Sequence, residues 1–184
     1  DETRPLDCHS PYGCSKGAGD QYVRDYARIF GLRTVVFRMS CIYGVHQWGT
    51  EDQGWVAHFI RSVRQGRSLA ICGDGKQVRD LLFISDLVDA FQKAWEHIEA
   101  AAGEVFNIGG GEANTVSLLE LLEILEEETC RKAVTQESPW RPGDQRYYCT
   151  NPAKARRVLG WQPTIAPREG VRRIMDWLEE RPLA

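Results

Sequence analysis

Two side chains near the start of the sequence have the chemistry to move a proton. Tyr12 and Lys16 lie in SPYGCSKGAGDQYVRDYARIFGL, residues 10–32. Their spacing of four puts both on one face of a helix. Taking a proton from an alcohol while hydride leaves its carbon needs a base that works near neutral pH. A free phenol, with a pKa of about 10, is too weakly acidic to provide one. An ammonium beside it, joined by a nicotinamide cation, favours the phenolate and lowers that pKa. The same spacing also arises by coincidence, so the pair alone leaves two readings open: an acid/base couple, or two neighbours on a helix surface.

Two further stretches have groups suited to an anionic ligand. In GDGKQVRDLLFISDL, residues 73–87, a glycine turn precedes Arg79, whose guanidinium can grip a diphosphate in bidentate fashion. The competing reading is a tight β-hairpin with Arg79 in solvent and Asp86 helping to start the next helix. In SPWRPGDQRYY, residues 138–148, Arg141 and Asp144 sit on a Pro-Gly turn beside aromatics. Arginine suits a phosphate and aspartate suits ribose hydroxyls, but Pro142-Gly143 is equally at home in a plain surface turn. The glycine run in NIGGGEANT, residues 107–115, imitates a dinucleotide loop without its G-x-G-x-x-G spacing. Glu127, the acid nearest the right distance, falls in a helix rather than at the end of a second strand. That run is read as a turn permitting close approach of another loop.

The elements that must position these groups alternate between strand and helix, which means an α/β fold. Ser10 and Pro11 are a cap and a first helical residue, and the helix they open carries Tyr22, Val23, Tyr26, Ile29 and Phe30 before stopping at Gly31. RTVVFRMS, residues 33–40, reads as a strand buried on both faces. A loop over 41–54 leads to an amphipathic helix closed by Gly66. Next come a strand, a turn at Asp74-Gly75, a second strand and a helix capped by Ser85. GEVFNIGGG is a further short strand. Ser117 and Glu120 form a capping box for a leucine-rich helix reaching about Glu128. Two more helices start at Asn151-Pro152 and Pro167. Trp55, Trp95, Trp140, Trp161 and Trp177 are expected in cores or subdomain seams, and the four histidines are expected solvated or hydrogen-bonded.

The 184 residues, 42% of them apolar, suffice for one substantial core or two small subdomains. With a net charge of −3 and scattered Lys and Arg, neither nucleic acid nor a membrane surface is an expected partner. No apolar run approaches the roughly 18–20 residues of a membrane span, and no signal-peptide pattern is present. DETRPLDCHS, without an initiator methionine, reads as a chain entered partway. The six cysteines form no C-x-x-C and no zinc-finger spacing, so the expectation is a reduced, cytoplasmic protein with free thiols and no metal site.

Taken in order, SPYGCSKGAGDQYVRDYARIFGLRTVVFRMSCIYG, EDQGWVAHF, GDGKQVRDLLFISDL, VFNIGGG, RPGDQR and LGWQP resemble the extended short-chain dehydrogenase/reductases over almost the whole chain. Within that family they look most like the CDP-sugar 2-epimerases. The resemblance implies the C-terminal portion of a Rossmann-type fold, an incomplete doubly wound parallel sheet with a smaller mixed α/β substrate subdomain. Residues 1–44 would belong to the NAD-binding domain and 45–184 mainly to the substrate subdomain, with 100–112 returning a strand to the Rossmann sheet. Tyr12 would be the acid/base residue, and Lys16 would lower its pKa and bond the nicotinamide ribose. Arg38, Met39, Ser40 and Cys41 would line the nicotinamide and sugar pocket. Arg79 and Arg141 would hold the nucleotide diphosphate, Asp144 the nucleotide ribose, and Gln53, in EDQGW, would belong to the substrate-side wall. The implied reaction is transient oxidation at C2 of a CDP-deoxysugar by tightly held NAD, with hydride returned to the opposite face.

Only eleven residues precede Tyr12. The family's glycine-rich NAD loop and catalytic Ser/Thr therefore have no counterpart in this sequence, and the chain alone is expected to be inactive and to self-associate through uncovered apolar surface. Two alternatives accompany this reading. One is a 4-epimerase or dehydratase acting on another nucleotide sugar. The other is a non-enzymatic module that retains nucleotide diphosphate binding.

Overall fold

The computed structural model describes residues 1–180. The chain runs α1 (Pro11–Phe30), β1 (Val36–Met39), β2 (Cys41–Tyr43), α2 (Trp55–Gln65), β3 (Ser68–Cys72), β4 (Val78–Phe83) and α3 (Ile84–Glu96). A single turn, α4 (Ile98–Ala101), leads to β5 (Val105–Ile108), β6 (Thr115–Ser117), α5 (Leu118–Thr129), β7 (Val134–Ser138), α6 (Ala153–Leu159) and α7 (Pro167–Glu179). No described helix is long and apolar enough to cross a membrane.

Three small sheets result, and the fold is α/β with parallel pairings. β1 pairs in parallel with β5, Val36 opposite Val105 and Met39 opposite Ile108. Among the described residues β1 has no strand on its other edge. The chain changes sheets at Ser40. β2 then pairs in parallel with β4, which is antiparallel to β6. β3 pairs in parallel with β7.

β4 is the shared wall. Alternate strand residues face opposite sides, so Leu81 and Phe83 enter one core with Tyr43, Ile60, Leu69, Leu121, Leu125 and Ile174. Leu82 enters the other, with Phe106, Ile108, Leu159 and Trp161. Burial pushes the Tyr43 phenol far above its ordinary range, and its hydroxyl donates to the Pro167 carbonyl at 3.3 Å. Asp86, buried in the first turn of α3, ties the chain ahead of α7 to this wall. Its carboxylate accepts from the Thr164 and Ile165 amides, each at 3.0 Å, and from the Thr164 hydroxyl at 2.7 Å. Its carbonyl accepts from Trp161 Nε1 at 2.9 Å.

Several local expectations are corrected. The two strands around Asp74-Gly75 are not a hairpin, because β3 and β4 bond to different partners. Helix α3 begins one residue before Ser85, with Phe83 at the cap position and no side-chain cap. Residues 41–54 are not wholly loop, since β2 lies within them, and β7 is an additional strand. β1 is not buried on both faces: Met39 is exposed and only Val36 is buried. Helix α1 has the expected limits, Ser10 Oγ accepting from the Gly13 amide at 3.0 Å and Gly31 left-handed at φ 66°. Its apolar residues are nevertheless outside: Ile29 is 68% and Phe30 65% exposed, and Tyr22 and Tyr26 are also open. Trp95, expected in a core or seam, is exposed.

Candidate functional site

The capped start of α1 holds Tyr12 and Lys16 side by side. Lys16 Nζ lies 5.5 Å from the Tyr12 ring centroid, within cation–π range. Tyr12 is 63% exposed, so its hydroxyl is reachable, unlike that of the sealed Tyr43. The helix is fastened to β1 by one ion pair. Arg38 Nε meets Asp20 Oδ2 at 2.6 Å, Asp20 is the one buried residue of α1, and Arg38 Nη1 donates to the Glu2 carbonyl at 3.2 Å. Arg38 therefore orients α1 with the side chain expected to line a cofactor pocket.

The switch between β1 and β2 is held by a residue that sequence reasoning missed. Asp80 is fully buried in β4. Ser40 Oγ lies 2.6 Å from its carbonyl and 2.5 Å from Oδ1, while Oδ2 accepts from the Gly111 amide at 3.0 Å. Asp80 thus binds the end of β1 to the glycine turn after β5. That turn needs its glycines, since a Cβ on Gly109 would overlap Thr150 and Asp80, and one on Gly110 would overlap the Leu81 carbonyl. The available signal was the charge in VRDLLF, because an acid inside an apolar strand must find donors. Cys41 follows the switch. Burial raises its thiol, against the lowering effects of a hydrogen bond to Trp55 and of the nearby Arg79 charge.

Arg79 and Asp144, 65 residues apart, meet as an ion pair at 2.7 Å with both side chains largely buried. The segment carrying Asp144 runs along β4, where the Val78 amide donates to the Arg146 carbonyl and the Tyr148 amide to the Val78 carbonyl. Arg141 lies on the adjoining turn, donating to the Glu51 carbonyl at 3.3 Å and its carboxylate at 3.2 Å. Partial burial opposes its charge, but a hydrogen bond to Cys72 and the Glu51 and Asp52 carboxylates leave its pKa raised. Gln53 is exposed in the same 50–53 turn, whose ends bond each other through the Thr50 amide and the Gln53 carbonyl at 2.7 Å. Gly143, at φ 76°, passes so close to His9 that an added Cβ would stand 3.2 Å from the His9 carbonyl oxygen. The Arg141–Asp144 turn and the approach to Tyr12 are therefore in contact.

Family-level comparison matches residues 1–109 to the NAD dependent epimerase/dehydratase family. The chain belongs to that family. Among its relatives, CDP-paratose 2-epimerase of Salmonella typhi is 43% identical over 182 residues, covering 96% of this chain and 54% of that protein. Among solved structures of the family's fold, UDP-glucuronic acid 4-epimerase from Bacillus cereus, in complex with UDP-glucuronic acid and NAD, superposes with a TM-score of 0.88 at 28% identity. That match covers 98% of this chain and 55% of the other. UDP-glucose 4-epimerase from Thermotoga maritima, with UDP-glucose, has a TM-score of 0.84 at 33% identity, covering 93% and 54%. The chain spans about half the length of the relatives it matches.

Proposed function

We propose that this chain is the substrate-side portion of a NAD-dependent nucleotide-sugar epimerase, and that its reaction is inversion at C2 of a CDP-linked deoxysugar. The observation that carries the reading is the contact of the Gly143 turn with His9. It sets the turn carrying Arg141 and Asp144 against the segment leading into the Tyr12 helix, the juxtaposition that one ligand spanning both would need. The 43% identity to CDP-paratose 2-epimerase supports CDP and C2 over the alternatives.

The end of β1 fits a cofactor ring: Met39 is exposed at the strand's last position, beside the Ser40 side chain tied to Asp80 and on the same element as the Arg38–Asp20 clamp of α1. Met39, Ser40 and Cys41 would hold the nicotinamide side of NAD, with Lys16 on the ribose. When bound, NAD supplies the hydride acceptor and donor. Tyr12 takes the proton of the C2 hydroxyl as that carbon is oxidised and gives it back when the carbon is reduced. Arg79 and Arg141 neutralise the diphosphate, exchanging Asp144 and Glu51 for phosphate oxygens. Asp144, released from Arg79, accepts from the nucleotide ribose, and Gln53 stands on the sugar side. Residues 1–44 then serve the cofactor and 45–184 mainly the sugar nucleotide, with β5 returning to β1. The other relatives keep a 4-epimerase or dehydratase as the second reading.

The test is a substrate panel of CDP-, UDP- and dTDP-sugars on the full-length parent protein, with product configuration read by NMR. Inversion at C2 of the CDP-sugar, lost in Tyr12→Phe, is expected. Turnover at C4 of a UDP- or dTDP-sugar in preference would replace this reading with the second.

A further inference from the structure

Arginines 79, 141 and 146 lie along one stretch of the candidate site, and two of them already hold carboxylates. Arg79 meets Asp144 at 2.7 Å and Arg141 meets Glu51 at 3.2 Å. Among the described residues the exposed Arg146 guanidinium has no such partner and lies instead over the Trp140 ring, 4.8 Å from its centroid. Stacking on an indole uses the π-face of a guanidinium and leaves its in-plane N–H donors free. The ring itself rests on Gly73, at φ 76°, where an added Cβ would overlap it. The two stacked residues are fixed beside the other arginines. The Arg146 carbonyl accepts at 2.9 Å from the amide of Val78, the neighbour of Arg79, and Trp140 adjoins Arg141. The Asp144 amide donates to the Arg141 carbonyl at 3.1 Å. The Trp140–Arg146 stack therefore closes the base of the turn that presents Arg141 and Asp144, and holds a third guanidinium next to it.

We propose that Arg146 is a further binding residue for the nucleotide diphosphate, the one of the three arginines that a phosphate meets without displacing a carboxylate, and that Trp140 is its positioning residue. The inference rests on the reading of Arg79, Arg141 and Asp144 as a nucleotide diphosphate site. An anion arriving at Arg79 or Arg141 replaces one charge-assisted bond with another, so its gain there is the difference between the two. At Arg146 it replaces water alone. A planar guanidinium held by its flat face also loses less freedom for each hydrogen bond formed than a flexible ammonium does. Arg146 therefore carries a share of the affinity comparable with that of Arg141.

The test is calorimetric titration of CDP into the chain, at low and at high salt, with Arg146→Met, Arg146→Lys and Arg141→Ala, each checked for native circular dichroism. Met keeps an apolar stem over Trp140 without the charge, and Lys keeps the charge. Arg146→Met is expected to weaken CDP about tenfold at low salt, Arg146→Lys to recover part of that loss, and the gap between parent and Met to narrow at high salt. A purely structural stack would leave the gap unchanged by salt. Trp140→Ala is expected to weaken CDP in the parent and to add no further loss in the Arg146→Met background, because both remove the same contact. Arg146→Met binding as tightly as the parent, Lys as weak as Met, or additive losses with Trp140→Ala would overturn the proposal. If Arg141→Ala alone lowers affinity, the diphosphate site stands without Arg146; a parent chain that does not bind CDP would overturn both.

Discussion

Replacing Asp80 separates the geometry of its hydrogen bonds from its charge. In Asp80→Ala, the buried Gly111 amide loses its acceptor, while Ser40 keeps the residue-80 carbonyl at 2.6 Å and loses only Oδ1. An unsatisfied buried amide costs about 1–3 kcal/mol, and the lost hydroxyl bond adds about 1, so the loss is roughly 2–4 kcal/mol. Asp80→Asn can keep both contacts. Its carbonyl accepts from Gly111, its amide donates to Ser40 Oγ, and the Ser40 proton goes to the main-chain carbonyl, so the loss is about 1 kcal/mol or less. Urea unfolding followed by circular dichroism, with a slope of about 2 kcal/mol/M, reads these as midpoint drops of about 1–2 M and under ~0.5 M. Equal damage from the two variants, or an alanine variant within ~0.3 M of the parent midpoint, would refute the assignment of Asp80 as the clasp between β1 and the glycine turn.

Asp86→Ala removes the acceptor for two amides and a hydroxyl, and is expected to lower the urea midpoint by at least as much as Asp80→Ala, with Thr164 losing hydrogen-exchange protection. Glu128 is held below its ordinary pKa by hydrogen bonds from Arg172 and Arg168. Its contribution is present above the unfolded carboxylate pKa of about 4.3 and is lost as pH falls through the lower folded value. Glu128→Gln should flatten that part of the stability–pH curve in acid, and an unchanged slope would remove Glu128 as its source. The apolar face of α1 is expected to drive self-association, so Ile29→Glu should move the sedimentation coefficient towards the monomer at equal concentration.

What could be read from the residues was local. Ser10, Pro11 and Gly31 bound α1, and Ser117 with Glu120 forms the capping box, because caps act within one turn. The apparent hairpin at Asp74-Gly75 failed for the same reason, since a strand, turn and strand look alike whether the strands pair with each other or with β7 and β2. β7, VTQES, carries no apolar alternation and is a strand only because β3 supplies its ladder. The exposed Ile29 and Phe30 follow helical periodicity faithfully, but periodicity does not say what covers a face. In the candidate site, residue types were legible and partnerships were not. Nothing local pairs Arg79 with Asp144 across 65 positions, or Ser40 with Asp80 across 40.

On the proposed reading, Arg79, Arg141 and Asp144 form a nucleotide diphosphate site already present in this chain. Calorimetric titration of CDP into the chain, repeated with Arg141→Ala and with NAD as a separate ligand, tests it most directly. Saturable CDP binding is expected, weakened about tenfold to a hundredfold in the variant, the worth of one charge-assisted phosphate contact of about 1.5–3 kcal/mol. Much weaker binding of NAD is expected, its proposed contacts being Lys16 and the end of β1. No heat with CDP, or CDP binding indifferent to Arg141→Ala, would contradict it.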